Sequence, residues 1–552
     1  MERYLDVCGN SAAGVFDVCI IGGGISGSAI AYTLSLLGYK VALFEKGDFG
    51  GGTTAATTKM IHGGARYLKT LEFRLVRESL RERRILCDIA PNFVYPKPVF
   101  LTTSDYPKSN KGLIRAGMIC YDLLSYDKGW TRDKSKKIPW HNFLPAEAVL
   151  AAEPAIRDEN LTGAFVYEDC FNIFPERLNL AFLKSALKNG ARIANYAEVF
   201  DFLYSSGRRA VSGVKVFDRI SRQSFLIRSR LTINCAGPWA DAVLGLISGQ
   251  EEKPALTRSE GVHIITRPIC RKNMIGFFPR GGRHFFIIPF RGHSLIGTTD
   301  RPYSGHPDNY RVSAEGIDEL LSLVNRHVKE PIGWPDIKYA YGGLRPLAGE
   351  NGADTYNASR SHEICDAARD GLDGLITVLG GKYTTSRNLA ERVAGVVAKK
   401  LGVYPWRSAS DKLYLSGCEI TDMELFMSKL HALYDGDFSR ETVEYLGRNY
   451  GTEAKEVFRL TEDDPSLREV LNVDGEIMAE VVYAVKFEMA RTLSDIILRR
   501  TGIGALGKPD RRTLVKVAST AAIELDWKAD NIIDELDRAS RIYELPAIIK
   551  KE

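Results

Sequence analysis

At 552 residues the chain is long enough for two or three domains, and 45% hydrophobic with 26% charged residues is the balance of a soluble globular enzyme. A net charge of +5, from 74 basic and 69 acidic residues, excludes a strongly basic nucleic-acid binder, and no aromatic-and-basic RNA motif is present. The nine cysteines stand singly without any C-x-x-C, which excludes a zinc knuckle or iron–sulfur run and reads as reduced, buried thiols of a cytosolic protein.

The first sixteen residues include Glu2, Arg3 and Asp6 and lack the apolar core of a signal peptide. No apolar run approaches the roughly 18–20 residues of a spanning helix, so membrane contact is expected to be peripheral at most. Residues 17–45 read DVCIIGGGISGSAIAYTLSLLGYKVALFE. The β-branched run 17–21 predicts a buried parallel strand. Gly22, Gly24 and Gly27 follow in G-x-G-x-x-G spacing. Residues 25–37 then predict a helix ended by Gly38, and residues 41–44 a second strand with Glu45 at its end. Gly22 makes the tight turn, Gly24 lets a pyrophosphate approach bare backbone, and Gly27 lets the helix pack on the strand. The helix N-terminus faces the negative charge, and Glu45, with Lys46 beside it, can accept from both hydroxyls of an adenosine ribose. This order of elements reads as a dinucleotide site. It does not separate FAD from NAD.

Residues 57–69, TTKMIHGGARYLK, gather Thr58, Lys59, His62, Gly63, Gly64, Arg66 and Tyr67. The paired glycines let backbone approach a flat ring. The segment equally fits a polar loop before an amphipathic helix at 71–90. Strand-like segments recur at 98–103, 211–217, 225–233, 285–289 and 375–379, and a helix at 183–189 ends at Gly190. Residues 105–140 hold eight lysines or arginines against four aspartates, together with Leu113, Ile114, Met118, Ile119, Leu123, Leu124, Trp130 and Trp140. That stretch suits a lipid headgroup layer, or a solvated surface over a buried helix. INCAGPWAD at 233–241 runs a strand into Ala236, Gly237 and Pro238. In a doubly wound fold such a turn borders the ligand crevice, and a structural turn is the alternative. YGGLRPL at 341–347 places Arg345 in a turn, and GGKYTTSR at 380–387 places Gly381, Lys382 and Thr384 at a strand end. Taken alone, Arg345 and Lys382 fit surface ion pairs. Beyond about residue 402 the texture turns helical. Residues 420–545 form a separate domain after a linker at 402–412 containing Pro405, and residues 481–499 keep apolar positions on one helical face.

Together these segments resemble the FAD-dependent glycerol-3-phosphate dehydrogenase family, within the D-amino-acid-oxidase-like flavoproteins. The matching stretches are IIGGGISGSAIA, TKMIHGGARYLKTLEFRLVRESLRER, INCAGPWAD, SEGVHIITRP, FFIIPF with LIGTTD, YGGLRPL, LGGKYTTSRNLAE and, near the C-terminus, EVVYAVKFEMARTLSDIILRRTGIG. The resemblance covers nearly the whole chain. It implies an α/β fold with a doubly wound FAD-binding domain assembled from residues 1–95, 160–250 and 345–402. An α+β substrate domain with an antiparallel sheet would come from 96–159 and 251–344, and a C-terminal helical domain from 403–552.

The resemblance also implies residue roles. His62 and Arg66, with Tyr67, would lie by flavin and substrate; His263 and Arg345 would face the substrate; Lys382 would sit beside both. FAD contacts are expected from Gly22, Gly24, Gly27, Glu45, Lys46, Thr58, Lys59, Gly63, Ala236, Gly237, Gly381, Lys382 and Thr384. The implied reaction oxidises sn-glycerol 3-phosphate to dihydroxyacetone phosphate by hydride transfer from C2 to flavin N5, with electrons passed to a quinone. The alternative readings are a soluble flavin oxidase that releases peroxide and a catalytically silent flavin-fold binding protein. Arg345 and Arg66, helped by Lys382 or Arg360, are expected to anchor the phosphate, because arginine offers a bidentate fork and lysine a point charge. His263 is the candidate base, Arg345 is expected to stabilise the developing alkoxide as well, and His62 is the third catalytic candidate. No metal and no nucleic acid are expected. A cytoplasmic protein, docked peripherally on an anionic membrane surface, and a homodimer are both compatible with the sequence. Two departures stand out: YEDCFNIFPERL at 167–178 lacks the family's paired acids and puts the start of the next helix in doubt, and TTAATT at 53–58 replaces the usual serines and arginine.

Overall fold

The computed structural model describes residues 1–7, 14–247, 256–279, 283–347, 362–403 and 407–547. Strand Phe16–Ile21 lies between two parallel neighbours, Val41–Phe44 and Ser224–Asn234. Arg192–Ala194 extends this sheet on one side; Leu375–Gly380 and then antiparallel His362–Asp366 extend it on the other. A strand has a side-chain period of two, so each of these strands feeds two cores. Val18, Ile20, Val41 and Leu43 pack with helices Ile25–Leu36, Pro175–Lys188 and Ser386–Leu401. Cys19, Ile21, Ala42 and Phe44 pack against the antiparallel pair Ala197–Tyr204 and Val211–Asp218. Burial on both faces is why these strands read as unbroken apolar runs.

The second sheet is built around Thr257–Thr266, which pairs antiparallel with Ile337–Leu347, His293–Gly297 and Arg301–Tyr303. It continues through Phe285–Phe290, Met274–Phe277, Tyr95–Ser104 and Leu161–Phe171. Among the described residues only the contact of Met274–Phe277 with Tyr95–Ser104 is parallel. Two expected boundaries move. Strand Leu161–Phe171, placed with the FAD-binding segments by a cut at 160, pairs along its length with Tyr95–Ser104. The cut expected at 344/345 falls inside the continuous strand Ile337–Leu347. Here Val262 and Ile264 join helix Ala314–Val324 in one core, so His263 points to the opposite face. That face is packed by helices Phe73–Ile89 and Lys111–Leu124 and by the loop carrying Tyr67.

The C-terminal region is helical, as its texture predicts, with its own core. Residues 481–499 are not one helix, however. Helix Ala479–Glu488 stops at Met489, which has φ +56, and after a turn the chain makes a short helix Leu493–Asp495 and a wide turn Ile496–Arg500. The break is fixed by a carboxylate: Asp495 accepts the backbone N–H groups of Arg491 and Thr492 at 2.8 and 3.0 Å. A buried ionic cluster joins this region to the first sheet. Glu488 accepts from Arg177 at 2.9 Å and from Lys184 at 2.6 Å, and Lys184 also donates to Glu453 at 2.6 Å.

Candidate active site

The glycine fingerprint divides by task. Gly22 has φ +108, and a Cβ there would lie 2.6 Å from the Cys235 carbonyl oxygen. At Gly27 a Cβ would lie 2.0 Å from the Gly22 carbonyl oxygen. Both glycines are demanded by the protein's own packing. Gly24 is different, since its hypothetical Cβ would meet only Thr54 Oγ1, at 3.3 Å. It opens onto a cavity of about 840 Å³. The same cavity is lined by Glu45, Lys46, Thr58, Ala236, Gly237, Gly381 and Thr384, and by His62, Arg66, Tyr67, His263, Arg345 and Lys382. The cradle therefore has the form a dinucleotide needs: a helix N-terminus, bare backbone above it, and an acid at the end of the next strand. Glu45 is held in place by two backbone donors, Gly23 N–H at 2.7 Å and Gly47 N–H at 2.8 Å. Burial pushes its carboxyl up, against these two bonds. Thr54, from the segment rich in threonine, accepts Ile25 N–H at 3.0 Å and so ties that segment to the helix N-terminus.

Three expected contacts lie outside the cavity wall. Gly27 sits beneath the cradle. Lys59 turns away, with Nζ donating to buried Glu176 at 3.2 Å. Gly63 is a packing glycine, because a Cβ there would lie 2.3 Å from both Leu80 and the Tyr121 hydroxyl. The Lys59–Glu176 pair, with Asn172 accepting Phe174 N–H at 3.1 Å and Pro175 in the first helical turn, shows how the unusual 167–178 stretch starts its helix. Arg360 lies outside the described residues.

The other side of the wall is cationic. Arg345 is anchored by strand groups: Nη1 donates to the carbonyls of Glu260 and Thr299, both at 3.2 Å, and Nη2 to Thr298 Oγ1 at 2.8 Å. Arg66 and Lys382 both stack on the Tyr67 ring, 4.6 and 4.1 Å from its centroid, and Arg66 donates to the Tyr67 hydroxyl at 2.9 Å. Two imidazoles are set among these cations. His263 stacks on Tyr341 with centroids 4.9 Å apart, and its Nε2 lies 2.9 Å from Thr58 Oγ1. Burial, with Arg345 and Lys59, holds its pKa well below the usual imidazole value. His62 is lowered to about 4, chiefly by burial and then by Lys382 and Arg66, against the opposing pull of Asp169. Burial and the neighbouring cations disfavour the charged form of both imidazoles, which leaves each a nitrogen lone pair but weakens it as a base.

Sequence reasoning missed several wall and support residues. His284 also lines the cavity, and burial with Arg66, His62, Lys69 and Arg345 lowers its pKa well below normal. The signal was a histidine directly before the FFIIPF strand. Asp169 supports the His62 loop from behind, accepting from Arg83 at 2.5 Å, the Tyr121 hydroxyl at 2.9 Å and Gly63 N–H at 3.3 Å. It is the aspartate of YED in the stretch that looked merely irregular.

The chain matches the family model described as FAD dependent oxidoreductase over residues 17–387. It matches a second, described as the C-terminal domain of alpha-glycerophosphate oxidase, over residues 408–532. It is 34% identical over 503 residues to a glycerol-3-phosphate dehydrogenase of Synechocystis sp., covering 88% of this chain and 89% of that one. It is 29% identical over 593 residues to an alpha-glycerophosphate oxidase of Streptococcus pyogenes, covering 95% and 94%. Among solved structures it is similar to the glycerol-3-phosphate dehydrogenase of Bacillus halodurans complexed with FAD, with a TM-score of 0.77, 25% identity, and 98% and 97% of the two chains covered. With its glycine cradle, its acid-ended second strand and these matches along its length, the chain belongs to the FAD-dependent oxidoreductase family and takes FAD as its cofactor.

Proposed function

We propose that this protein oxidises sn-glycerol 3-phosphate to dihydroxyacetone phosphate. The observation that carries the reading is one cavity in which the dinucleotide cradle meets three cations, Arg66, Arg345 and Lys382, and two imidazoles, His62 and His263. When bound, FAD supplies the two-electron acceptor for the hydride that leaves C2. The chain's own residues do the rest. Arg345 and Arg66 hold the phosphate dianion through charge-assisted bonds, which orients C2 without touching it. Arg345 is already fixed by two carbonyls and a hydroxyl, so little side-chain freedom is lost when the dianion arrives. His263 takes the C2 hydroxyl proton at Nε2, the atom that faces Thr58. The names of the relatives agree with this substrate.

The test is anaerobic mixing of the yellow protein with glycerol 3-phosphate. Bleaching of the flavin band is expected, with glycerol a very poor substitute. Equal reactivity of the two would overturn the phosphate reading. Arg345→Lys keeps the charge and loses the fork, and is expected to lower kcat/KM roughly tenfold to a hundredfold.

The electrons, on this reading, pass to a quinone at a cytoplasmic membrane face. Support comes from helix Lys111–Leu124 and the turns after it. Leu113, Ile119, Leu123, Tyr126, Trp130 and Trp140 are all exposed, while Ile114 and Met118 are buried. No helix among the described residues is long and apolar enough to cross a membrane. Exposed Lys108, Arg115, Lys134 and Lys137 give the patch its positive charge. Lys136 does not belong to it: it is buried, with Nζ donating to the carbonyls of Pro91 and Val94. Quinone-coupled turnover against peroxide release, measured on one preparation with and without anionic vesicles, decides between a dehydrogenase and an oxidase.

A further inference from the structure

The turn that follows Glu45 contributes Lys46, Gly47, Asp48, Gly50, Gly51 and Gly52 to the cavity wall. Three consecutive glycines give such a segment little stiffness of its own. Its shape is imposed from the far end of the chain. Asp48 accepts from Arg500 Nη1 at 2.8 Å, Arg500 Nη2 at 2.7 Å and Arg499 Nε at 2.6 Å. Burial alone would raise the Asp48 pKa, but the guanidiniums of Arg500 and Arg499 outweigh it and hold the carboxyl ionised. Both arginines belong to the wide turn Ile496–Arg500 of the C-terminal helical domain.

The two differ in what they have left. All three nitrogens of Arg500 are engaged, the third donating to the Glu488 carbonyl at 3.0 Å. Arg499 uses Nε for Asp48 and Nη2 for Asp495, the latter at 2.6 Å, while Nη1 makes no hydrogen bond among the described residues. Arg499 also lines the cavity, and its Nε lies 4.0 Å from where a Gly51 Cβ would be. Three residues on, Thr54 is tied to Ile25 at the N-terminus of the fingerprint helix. The charged part of FAD is its pyrophosphate, and that helix end is where such a group binds. Nearby cations are already paired: Lys46 with Asp308 at 2.6 Å, and Arg219 with Glu198 at 2.8 Å.

We propose that Arg499 is an FAD ligand delivered by the C-terminal domain, its Nη1 donating to an oxygen of the cofactor's pyrophosphate while its Nε fixes the 46–54 turn. The helical domain is then part of the cofactor site. FAD is held more tightly when that domain is docked.

The experiment is release of FAD from purified holoenzyme on dilution, read as the gain in flavin fluorescence, for wild type, Arg499→Met and Arg499→Lys. Arg499→Met is expected to raise the FAD dissociation constant about tenfold to a hundredfold, the loss of one charge-assisted bond, and Arg499→Lys to recover part of it. The diagnostic readout is displacement of FAD by ADP and by adenosine. ADP carries the pyrophosphate and adenosine does not, so the preference for ADP over adenosine should shrink in the variant. An unchanged FAD dissociation constant overturns the proposal. So does an unchanged ADP-to-adenosine preference, which would make Arg499 a prop for the turn. If Arg499→Met does not accumulate as folded protein, Arg499→Lys is read by the same two ratios, with the same outcomes for and against.

Discussion

At the scale of single residues, the cavity holds imidazoles whose charged form burial disfavours. The sign of the resulting pH dependence follows from linkage. In the folded protein His62 and His263 titrate below the usual imidazole value; unfolded, they titrate near 6.5. Between those limits the unfolded chain binds protons that the native chain refuses, so stability falls as pH drops from about 6.5 toward 4. His62→Gln removes one such group. Its melting temperature is expected to fall less than that of wild type over that interval; parallel curves would show that His62 is not held neutral. The glycines give a second residue-scale prediction. Gly27→Ala should destabilise the apoprotein, since its Cβ would strike the Gly22 carbonyl, whereas Gly24→Val should leave a folded but colourless protein. A fully yellow Gly24→Val variant would remove this loop from the cofactor site. Gly22 and Gly27 are legible in the sequence because the packing of strand, turn and helix demands them locally. Lys59 and Gly63 instead meet Glu176 and Tyr121, 117 and 58 residues away in the chain, where spacing carries no signal.

At the scale of elements, strands that are buried on both faces were legible as apolar runs, and helices as one-sided stripes. The 481–499 segment looked continuous because its apolar spacing persists through Met489, where the backbone turns left-handed. Periodicity reports which face is buried; it does not report a break stabilised by the Asp495 carboxylate. Helix Lys111–Leu124 is the element with the most testable surface. Ile119 and Leu123 are one turn apart and exposed, at 41% and 61%. Wild type is expected to sediment with anionic vesicles at low salt and to be released at high salt, since each basic residue near such a surface adds roughly 1 kcal/mol. Ile119→Glu with Leu123→Glu should abolish sedimentation and leave turnover with a soluble dye unchanged. Wild-type protein that ignores vesicles at every salt concentration would remove the docking surface.

At the scale of the whole molecule, the FAD sheet and the helical domain share buried charges. Glu488 is fully buried between Arg177 and Lys184, which outweigh burial and lower its carboxyl to about 2. Glu488→Gln leaves two buried cations without their shared anion, and breaking a buried pair in this way typically costs about 3–5 kcal/mol. Loss of flavin and of helical melting in a single transition is expected; two separate transitions would show that the domains unfold independently. None of this junction was legible in advance, because Arg177 and Glu488 are 311 positions apart. The family resemblance placed the helical domain after the sheets but was silent on what holds them together.

The cavity wall begins at Ile21 and ends at Arg499 in a chain of 552 residues. A ribosome makes the glycine fingerprint first, yet the wall it belongs to is unfinished until Arg499 has emerged. The nascent chain therefore presents an early α/β motif whose cavity wall is completed only when the helical region follows it. Products terminated before Arg499 should bind FAD more weakly than the full chain.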